Sequence, residues 1–218
     1  MSFRTAYGNT YSENGWRMCN RDECDTVRIP QLYLVDTAPL RKGTPLTILG
    51  AWLYWYDRNV EEITSPVWGW SDTNDVANSN HLAGTAVDVN APKYPWGART
   101  MPAARIAKVR EGLKLFEGTV YWGADWNRAD EMHYQMAWPE GDTRNDTFAA
   151  KLRAGHLGIY RSTPPTPAPP APPAPVAKRF PTDLSDRELL EYIAAQLGPG
   201  DPAWASKGMT LRDKVWSK

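Results

Sequence analysis

Residues 79–90 read SNHLAGTAVDVN, and this stretch decides how the chain arranges its chemistry. The part from 85 to 90 alternates and is rich in β-branched residues, which predicts a strand. Successive side chains of a strand point to opposite faces, so Val87 and Val89 share one face and Asp88 lies on the other. A lone carboxylate on the covered face of a sheet needs a partner. The pattern therefore indicates a functional or paired aspartate.

A histidine lies close enough to be that partner. Gly84 permits a turn between His81 and Asp88, so both side chains can meet at the start of the strand. A second predicted strand, 132–136, carries His133 and Gln135 on one face. If the two strands are neighbours, both histidines and the aspartate converge.

Two imidazoles and one carboxylate leave a fourth tetrahedral position for water, as in catalytic rather than structural zinc sites. We therefore expect Zn²⁺ on His81, Asp88 and His133. A hydrolytic zinc site also needs a proton acceptor and donor near the metal. Asp130 and Glu131 precede His133 by three and two residues. Strand alternation favours Glu131, whereas a turn before the strand would favour Asp130.

These motifs resemble those of a known enzyme family. Residues 79–88 read S-x-H-x-x-G-x-A-x-D, which looks like the signature of the D-Ala-D-Ala carboxypeptidase and L-alanyl-D-glutamate endopeptidase family of zinc peptidases. The family's second motif, an acidic residue three positions before a histidine after an aromatic, glycine-containing stretch, is similar to YWGADW at 121–126 followed by DEMH at 130–133. The resemblance covers roughly residues 40 to 140.

The resemblance implies a role for each matching residue. His81, Asp88 and His133 would be the zinc ligands, Asp130 the catalytic acid/base, and Ser79 a residue that helps to hold the substrate. In one respect the chain departs from the family: many members carry an oxyanion-stabilising arginine on the strand before the first motif, and residues 67–71 (VWGWS) contain none. Arg58 is a weak substitute, so the oxyanion stabiliser is unassigned.

The fold class expected from the sequence is α+β: a small antiparallel sheet with flanking helices, as in hedgehog and D-Ala-D-Ala peptidase domains, followed by a Pro-rich linker and a short helical tail. Hydrophobic periodicity predicts helices over 45–63 and 102–116, and strands over 66–71, 85–90, 119–122 and 132–136. The first 40 residues give a weak pattern, with a possible edge strand at 31–35.

Domain boundaries follow from residues 163–176, which read TPPTPAPPAPPAPV. Alternating proline and alanine favours an extended spacer. We therefore predict a zinc peptidase domain over 1–162, a Pro/Ala-rich linker over 163–176 and a small helical tail over 177–218. A capping box at 185–188 and an apolar stripe predict the tail helix. The tail could target the cell wall.

Composition narrows the function further. Lysine plus arginine equals aspartate plus glutamate, 25 each, so nucleic acid is not an expected partner. No apolar run approaches a membrane span, and the N-terminus lacks the pattern of a secretory signal. Cys19 and Cys24 are either reduced thiols or a small loop-closing disulfide. His156 is interpreted as a structural histidine.

Together these features resemble a bacteriophage endolysin: a monomer made in the host bacterial cytoplasm that reaches the peptidoglycan at lysis. The predicted reaction is hydrolysis of a peptide bond in the peptidoglycan stem, such as L-Ala-D-Glu. The alternatives are a D-Ala-D-Ala carboxypeptidase, and a non-catalytic zinc or cell-wall-binding module. Asp130 argues against a non-catalytic domain.

Overall fold

The structure is a computed structural model, and it describes residues 4–26, 38–160, 185–187 and 189–190. The chain divides into two compact units, Met1–Thr166 and Pro167–Lys218. In the second unit the described residues form a helical turn, in which the backbone N–H of Leu189 donates to the carbonyl of Ser185 at 2.9 Å. The predicted linker, most of the predicted tail and the possible edge strand at 31–35 lie outside the described residues.

The α+β prediction is confirmed for the first unit. Two small antiparallel sheets, one of two strands and one of three, accompany three α-helices in the described part of this unit. In chain order the elements are β1 (Cys24–Thr26), β2 (Pro39–Arg41), α1 (Thr44–Asn59), β3 (Ala86–Asp88), α2 (Ala103–Leu115), β4 (Val120–Trp122), β5 (His133–Met136) and α3 (Thr143–Arg153).

Helix α1 is the centre of the core rather than a helix with one buried face. Its residues from Ile48 to Tyr56 are all buried, and it packs against α2, α3, β2, β4 and β5. A helix that is apolar on all sides is stable only when other elements surround it. In the described part of the chain, no helix combines the length and apolar character needed to cross a membrane.

The three-stranded sheet brings the two sequence motifs together. Its strand order is β3-β5-β4, with both pairs antiparallel. In the register of β3 with β5, Asp88 lies directly opposite His133. Val87 and Tyr134 are another opposed pair, and both belong to the core. The period-2 alternation thus places the apolar residues on α1 and the polar residues on the other face.

The predicted strand at 66–71 was wrong, because only a single bridge forms there, between Trp68 and Asp88. After this bridge the backbone changes partners: the carbonyl of Gly69 accepts from His81 Nδ1, and the N–H of Trp70 donates to Pro39. A side chain at Gly69 would place its Cβ 2.3 Å from the Pro39 carbonyl oxygen. The segment positions a histidine and does not extend the sheet.

Two features of the fold were not predicted. Strands β1 and β2 pair although about a dozen residues separate them, and three-residue strands carry little periodicity. Helix α3 begins after Asp142, whose side chain caps it, and buries mainly Phe148 and Leu152. Two large apolar residues in 11 give a weak helical pattern.

Candidate metal centre

Three potential metal ligands meet in a buried position where β3 ends and β5 begins. Asp88 Oδ1 lies 3.2 Å from His81 Nε2 and 3.0 Å from His133 Nδ1, and the two nitrogens are 3.3 Å apart. With bonds of roughly 2.0–2.1 Å, the ligand atoms of a tetrahedral zinc site lie about 3.3 Å apart. The spacing of the three atoms therefore fits a zinc ion.

Local backbone geometry delivers His81 to this point. It lies in a 3₁₀ turn, Asn80–Ala83. The backbone N–H of His81 donates a hydrogen bond of 3.3 Å to the hydroxyl of Ser79, which caps the turn. Gly84 ends the turn with φ 65°, the left-handed conformation that glycine adopts without strain. The turn reverses the chain into β3. The side chain of His81 therefore lies next to that of Asp88, which is seven residues later in the sequence.

Hydrogen bonds outside the cluster set the tautomer of both histidines. His81 Nδ1 lies 2.7 Å from the carbonyl of Gly69, and His133 Nε2 lies 3.0 Å from Oε1 of Gln135. An imidazole that donates from one nitrogen presents a lone pair at the other. Two lone pairs and a carboxylate oxygen therefore point at one another, which is favourable only with a cation or protons between them.

The charges in the cluster are mutually stabilising. Burial alone would raise the pKa of Asp88, but the two imidazoles outweigh it and hold the pKa below the ordinary carboxyl value. Burial lowers the pKa of His81, and the Asp88 carboxylate more than compensates, so the net shift is upward. A buried anion of this kind favours any cation that the histidines can share.

The two acidic residues before His133 point to different places. Oε2 of Glu131 accepts hydrogen bonds from the backbone N–H groups of Thr100 and Met101, at 2.6 and 2.7 Å, so Glu131 braces the loop before α2. Asp130 instead lines the pocket that contains the metal cluster. Its Oδ1 is buried without a hydrogen-bond partner among the described residues.

Burial raises the pKa of Asp130 to about 6, with the neighbouring His133 opposing the shift and Asp88 adding to it. A carboxylate whose pKa lies near neutrality both accepts and returns a proton efficiently. Because Asp130 lies in a turn, it is not bound by strand alternation: its N–H donates to Gly123 and its carbonyl accepts from His133 N–H.

The pocket around the cluster has a volume of about 500 Å³, within the usual range for small-ligand sites. It contains all the residues proposed for the site: Ser79, His81, Asp88, Asp130 and His133. The other lining residues are Glu13, Asn74, Asp75, Val76, Asn78, Asn80, Trp96, Trp126, Asn127, Arg128 and Met132.

Residues 72–136 match a family model described as D-alanyl-D-alanine carboxypeptidase. The chain is similar to this family over a minority of its length, and the matched range holds both motifs. No curated protein and no solved structure matches the chain. The match, together with the buried His-Asp-His group, supports a hydrolase of the zinc peptidase kind that acts on peptidoglycan-like substrates.

Several predicted candidates lie elsewhere. Arg58 is exposed and stacks on Tyr54, 3.9 Å from guanidinium carbon to ring centroid, and it does not line the pocket. His156 is exposed and packs edge-on against Phe148, which belongs to the core of the first unit. The sulfurs of Cys19 and Cys24 are 3.7 Å apart as two buried free thiols.

The sequence motifs missed a contribution from the N-terminal segment. One carboxylate oxygen of Glu13, Oε2, accepts from Asn80 Nδ2 and from Gln135 Nε2, both at 3.0 Å, and Gln135 in turn accepts from His133. Glu13 is thus tied through one amide to His133, a candidate metal ligand. The sequence carries no signal for this, because 122 positions separate Glu13 from Gln135.

Proposed function

We propose that this protein is a zinc metallopeptidase that hydrolyses a peptide bond in the stem of bacterial peptidoglycan. One observation carries the proposal: His81, Asp88 and His133 converge in the same pocket as the unpaired carboxylate oxygen of Asp130. Three ligands with an open fourth position are typical of catalytic zinc. A structural zinc site would be closed and would have no use for a free carboxylate.

Each residue has a defined task in this proposal. His81, Asp88 and His133 hold the metal, which when bound supplies a Lewis acid for the peptide carbonyl and for the attacking water. Asp130 accepts the proton of that water and then gives it to the departing amine. The buried position of Asp130 supports both steps, because its pKa is raised to about 6.

Ser79 has two tasks in the proposal. Its hydroxyl accepts from the N–H of His81, which fixes the 3₁₀ turn, and the residue also lines the pocket. A hydroxyl has a further donor to offer. We therefore assign Ser79 to holding the substrate, as the family resemblance implies, in addition to its structural bond.

The finer function that we propose is that of a phage endolysin-type endopeptidase, cutting within the stem at a bond such as L-Ala-D-Glu. It would be made in the host bacterial cytoplasm as a monomer and meet the cell wall at lysis. The segment 163–176 would act as the linker and 177–218 as a wall-targeting tail. Nucleic acid and membrane insertion have no part in the proposal.

A D-Ala-D-Ala carboxypeptidase is the second candidate, because the matching family model carries that description. The two activities use the same chemistry and differ in where the substrate chain ends. A carboxypeptidase releases free alanine and leaves cross-links intact, whereas an endopeptidase separates the stem into fragments.

Digestion of purified peptidoglycan, followed by mass spectrometry of the soluble products, tests the proposal. We expect stem fragments that end at one defined internal peptide bond, and no products from protein treated with a chelator. Free alanine as the sole product would establish the carboxypeptidase. The absence of any product from zinc-loaded protein would contradict a peptidoglycan peptidase altogether.

A further inference from the structure

Residues 126–130 contribute to the lining of the pocket and end at Asp130, the proposed proton acceptor. Trp126 packs against His133, with ring centroids 4.9 Å apart, and Asp130 lies four residues later. Arg128 stands between them and lines the pocket. Arg128 therefore lines the same pocket as the cluster and Asp130.

Arg128 is held by a platform from the neighbouring loop. Its guanidinium carbon lies 3.6 Å from the ring centroid of Trp96, a cation–π contact. The two loops are tied by a backbone hydrogen bond of 2.8 Å from the N–H of Gly97 to the carbonyl of Ala129. Stacking restricts the long side chain and so lowers the entropy lost when it binds an anion.

Gly97 provides the space for this arrangement. Its φ is +84°, and a Cβ there would lie 3.1 Å from Nε of Arg128. A side chain at this position would require the guanidinium to shift by a few tenths of an ångström. The loop, the indole and the arginine therefore form one unit.

No acceptor for the guanidinium is found among the described residues. Arg128 makes neither an ion pair nor a hydrogen bond to any described residue. By contrast, Arg110 and Arg105 of α2 pair with Asp125 and Glu61, respectively. Stacking occupies the face of the guanidinium and leaves its N–H edge available. That edge matches a carboxylate in a two-point hydrogen bond.

The charge of the pocket favours a carboxylate at this place. Glu13, Asp75, Asp88 and Asp130 line it, and Arg128 is the one lysine or arginine among the described lining residues. A substrate with a free carboxylate would be repelled by the acidic lining unless that group met the guanidinium.

We propose that Arg128, on its Trp96 platform, binds a carboxylate of the substrate close to the scissile bond and thereby selects for peptides that carry one. The proposal rests on the peptidase function proposed above and names its specificity residue. Arg128 binds and orients the peptide; the proton transfers belong to Asp130. Two sources of the carboxylate fit: a glutamyl residue within the stem, or the C-terminus of the stem.

Two pairs of synthetic stem peptides separate these sources. In the first pair the glutamyl α-carboxylate is free or amidated; in the second the C-terminal carboxylate is free or amidated. We measure kcat/KM for zinc-loaded full-length protein. Wild-type protein is expected to prefer the free acid of one pair by about 10- to 100-fold, the range for a hydrogen-bonded charge pair.

Arg128→Ala is expected to abolish that preference, because kcat/KM falls more for the free acid than for the amidated peptide. Arg128→Lys, which keeps the charge without the two-point geometry, is expected to fall in between. Arg58→Ala is the matched control, because Arg58 is an exposed arginine stacked on Tyr54 outside the pocket. It should retain the full preference.

An equal preference in wild-type protein and Arg128→Ala would overturn the proposal, and so would an equal loss of rate on both members of a pair. Calorimetric titration of the same peptides into the zinc-loaded protein measures binding without cleavage, and so distinguishes failure of the carboxylate site from failure of the peptidase function. Arg128-dependent binding without cleavage would reject the peptidase and keep the carboxylate site. If the protein shows no cleavage and no Arg128-dependent binding, both the peptidase function and the carboxylate site are rejected.

Discussion

The amide oxygen of Gln135 accepts a hydrogen bond of 3.0 Å from Nε2 of His133, two residues earlier on the same strand. The other end of the amide donates to Glu13, so the N-terminal segment reaches the metal cluster through one side chain. Such outer hydrogen bonds set the ligand's tautomer and typically change metal affinity by about 10–100-fold.

Weakening this chain of hydrogen bonds is predicted to lower zinc affinity without removing a ligand. Gln135→Met has a similar size but replaces the amide oxygen with a thioether, a weak acceptor, and we expect zinc affinity to fall by about 10–100-fold. Glu13→Gln removes the charge behind the amide and should have a smaller effect in the same direction. Competition with a chelator of known affinity measures both.

Glu62→Gln is the control for charge removal, because Glu62 is exposed and lies outside the pocket. Its zinc affinity should equal that of the wild type. If Gln135→Met also binds zinc with wild-type affinity, Gln135 does not orient His133.

The protein is predicted to hold one zinc ion per chain in its first unit. His81→Ala removes one of three ligands, and two protein ligands rarely retain catalytic zinc, so metal binding should be lost or severely weakened. Elemental analysis after gel filtration measures the ratio. His156→Ala is the matched control, since His156 packs against Phe148 and should leave the ratio unchanged. Wild-type protein that neither contains zinc nor is activated by it would reject the metal site.

Asp130→Asn is predicted to lower kcat by about 10²–10⁴-fold while zinc stays bound, because the variant keeps the shape and loses the proton acceptor. Its free energy of unfolding should change little. The orphaned Oδ1 makes no hydrogen bond within the described structure that the amide would break.

Glu131→Gln is predicted to show the opposite profile. Its carboxylate accepts two backbone N–H groups, and hydrogen bonds to a charged acceptor contribute about 1.5–3 kcal/mol each, part of which an amide oxygen retains. We expect a lower free energy of unfolding in urea and a nearly normal kcat. The reverse ranking of the two variants would make Glu131 the base.

Gly112→Ala is predicted to destabilise the protein although alanine is the better helix former. A Cβ at this position of α2 would lie 2.2 Å from the ring of Trp55 on α1. Overpacking of this kind costs about 1–3 kcal/mol, measured as a lower urea midpoint. Ala104→Gly, at an exposed site of α2, is the comparison for helix propensity alone. A stabilised Gly112→Ala would mean that the two helices separate easily.

Truncation at Arg161 is predicted to leave a folded protein that cleaves soluble stem peptides at the full-length rate, since all proposed site residues precede the cut. Circular dichroism and peptide assays check both points. Activity lost only on intact cell walls would identify the tail as a targeting element. An unfolded product would place the tail in the core and refute the boundary.

Much of the site was predictable because its chemistry is local in sequence. His81, Gly84 and Asp88 lie within one turn and one strand, and the resemblance of that stretch to a peptidase motif predicted as ligands two of the three residues that the structure brings together. The helices around 44–59 and 103–115 were predictable in the same way, since each repeats apolar residues at the helical period. These features depend on neighbours in the chain.

The tertiary structure alone decided what depends on distant partners. For the adjacent carboxylates Asp130 and Glu131, strand alternation and the family motif had favoured different residues, and the structure shows Glu131 bound to the backbone of Thr100 and Met101. The approach of Glu13 to Gln135 and the stacking of Arg128 on Trp96 likewise join separate segments. Strand alternation and motif spacing describe one segment at a time, whereas burial and hydrogen bonding depend on which segments the core brings together.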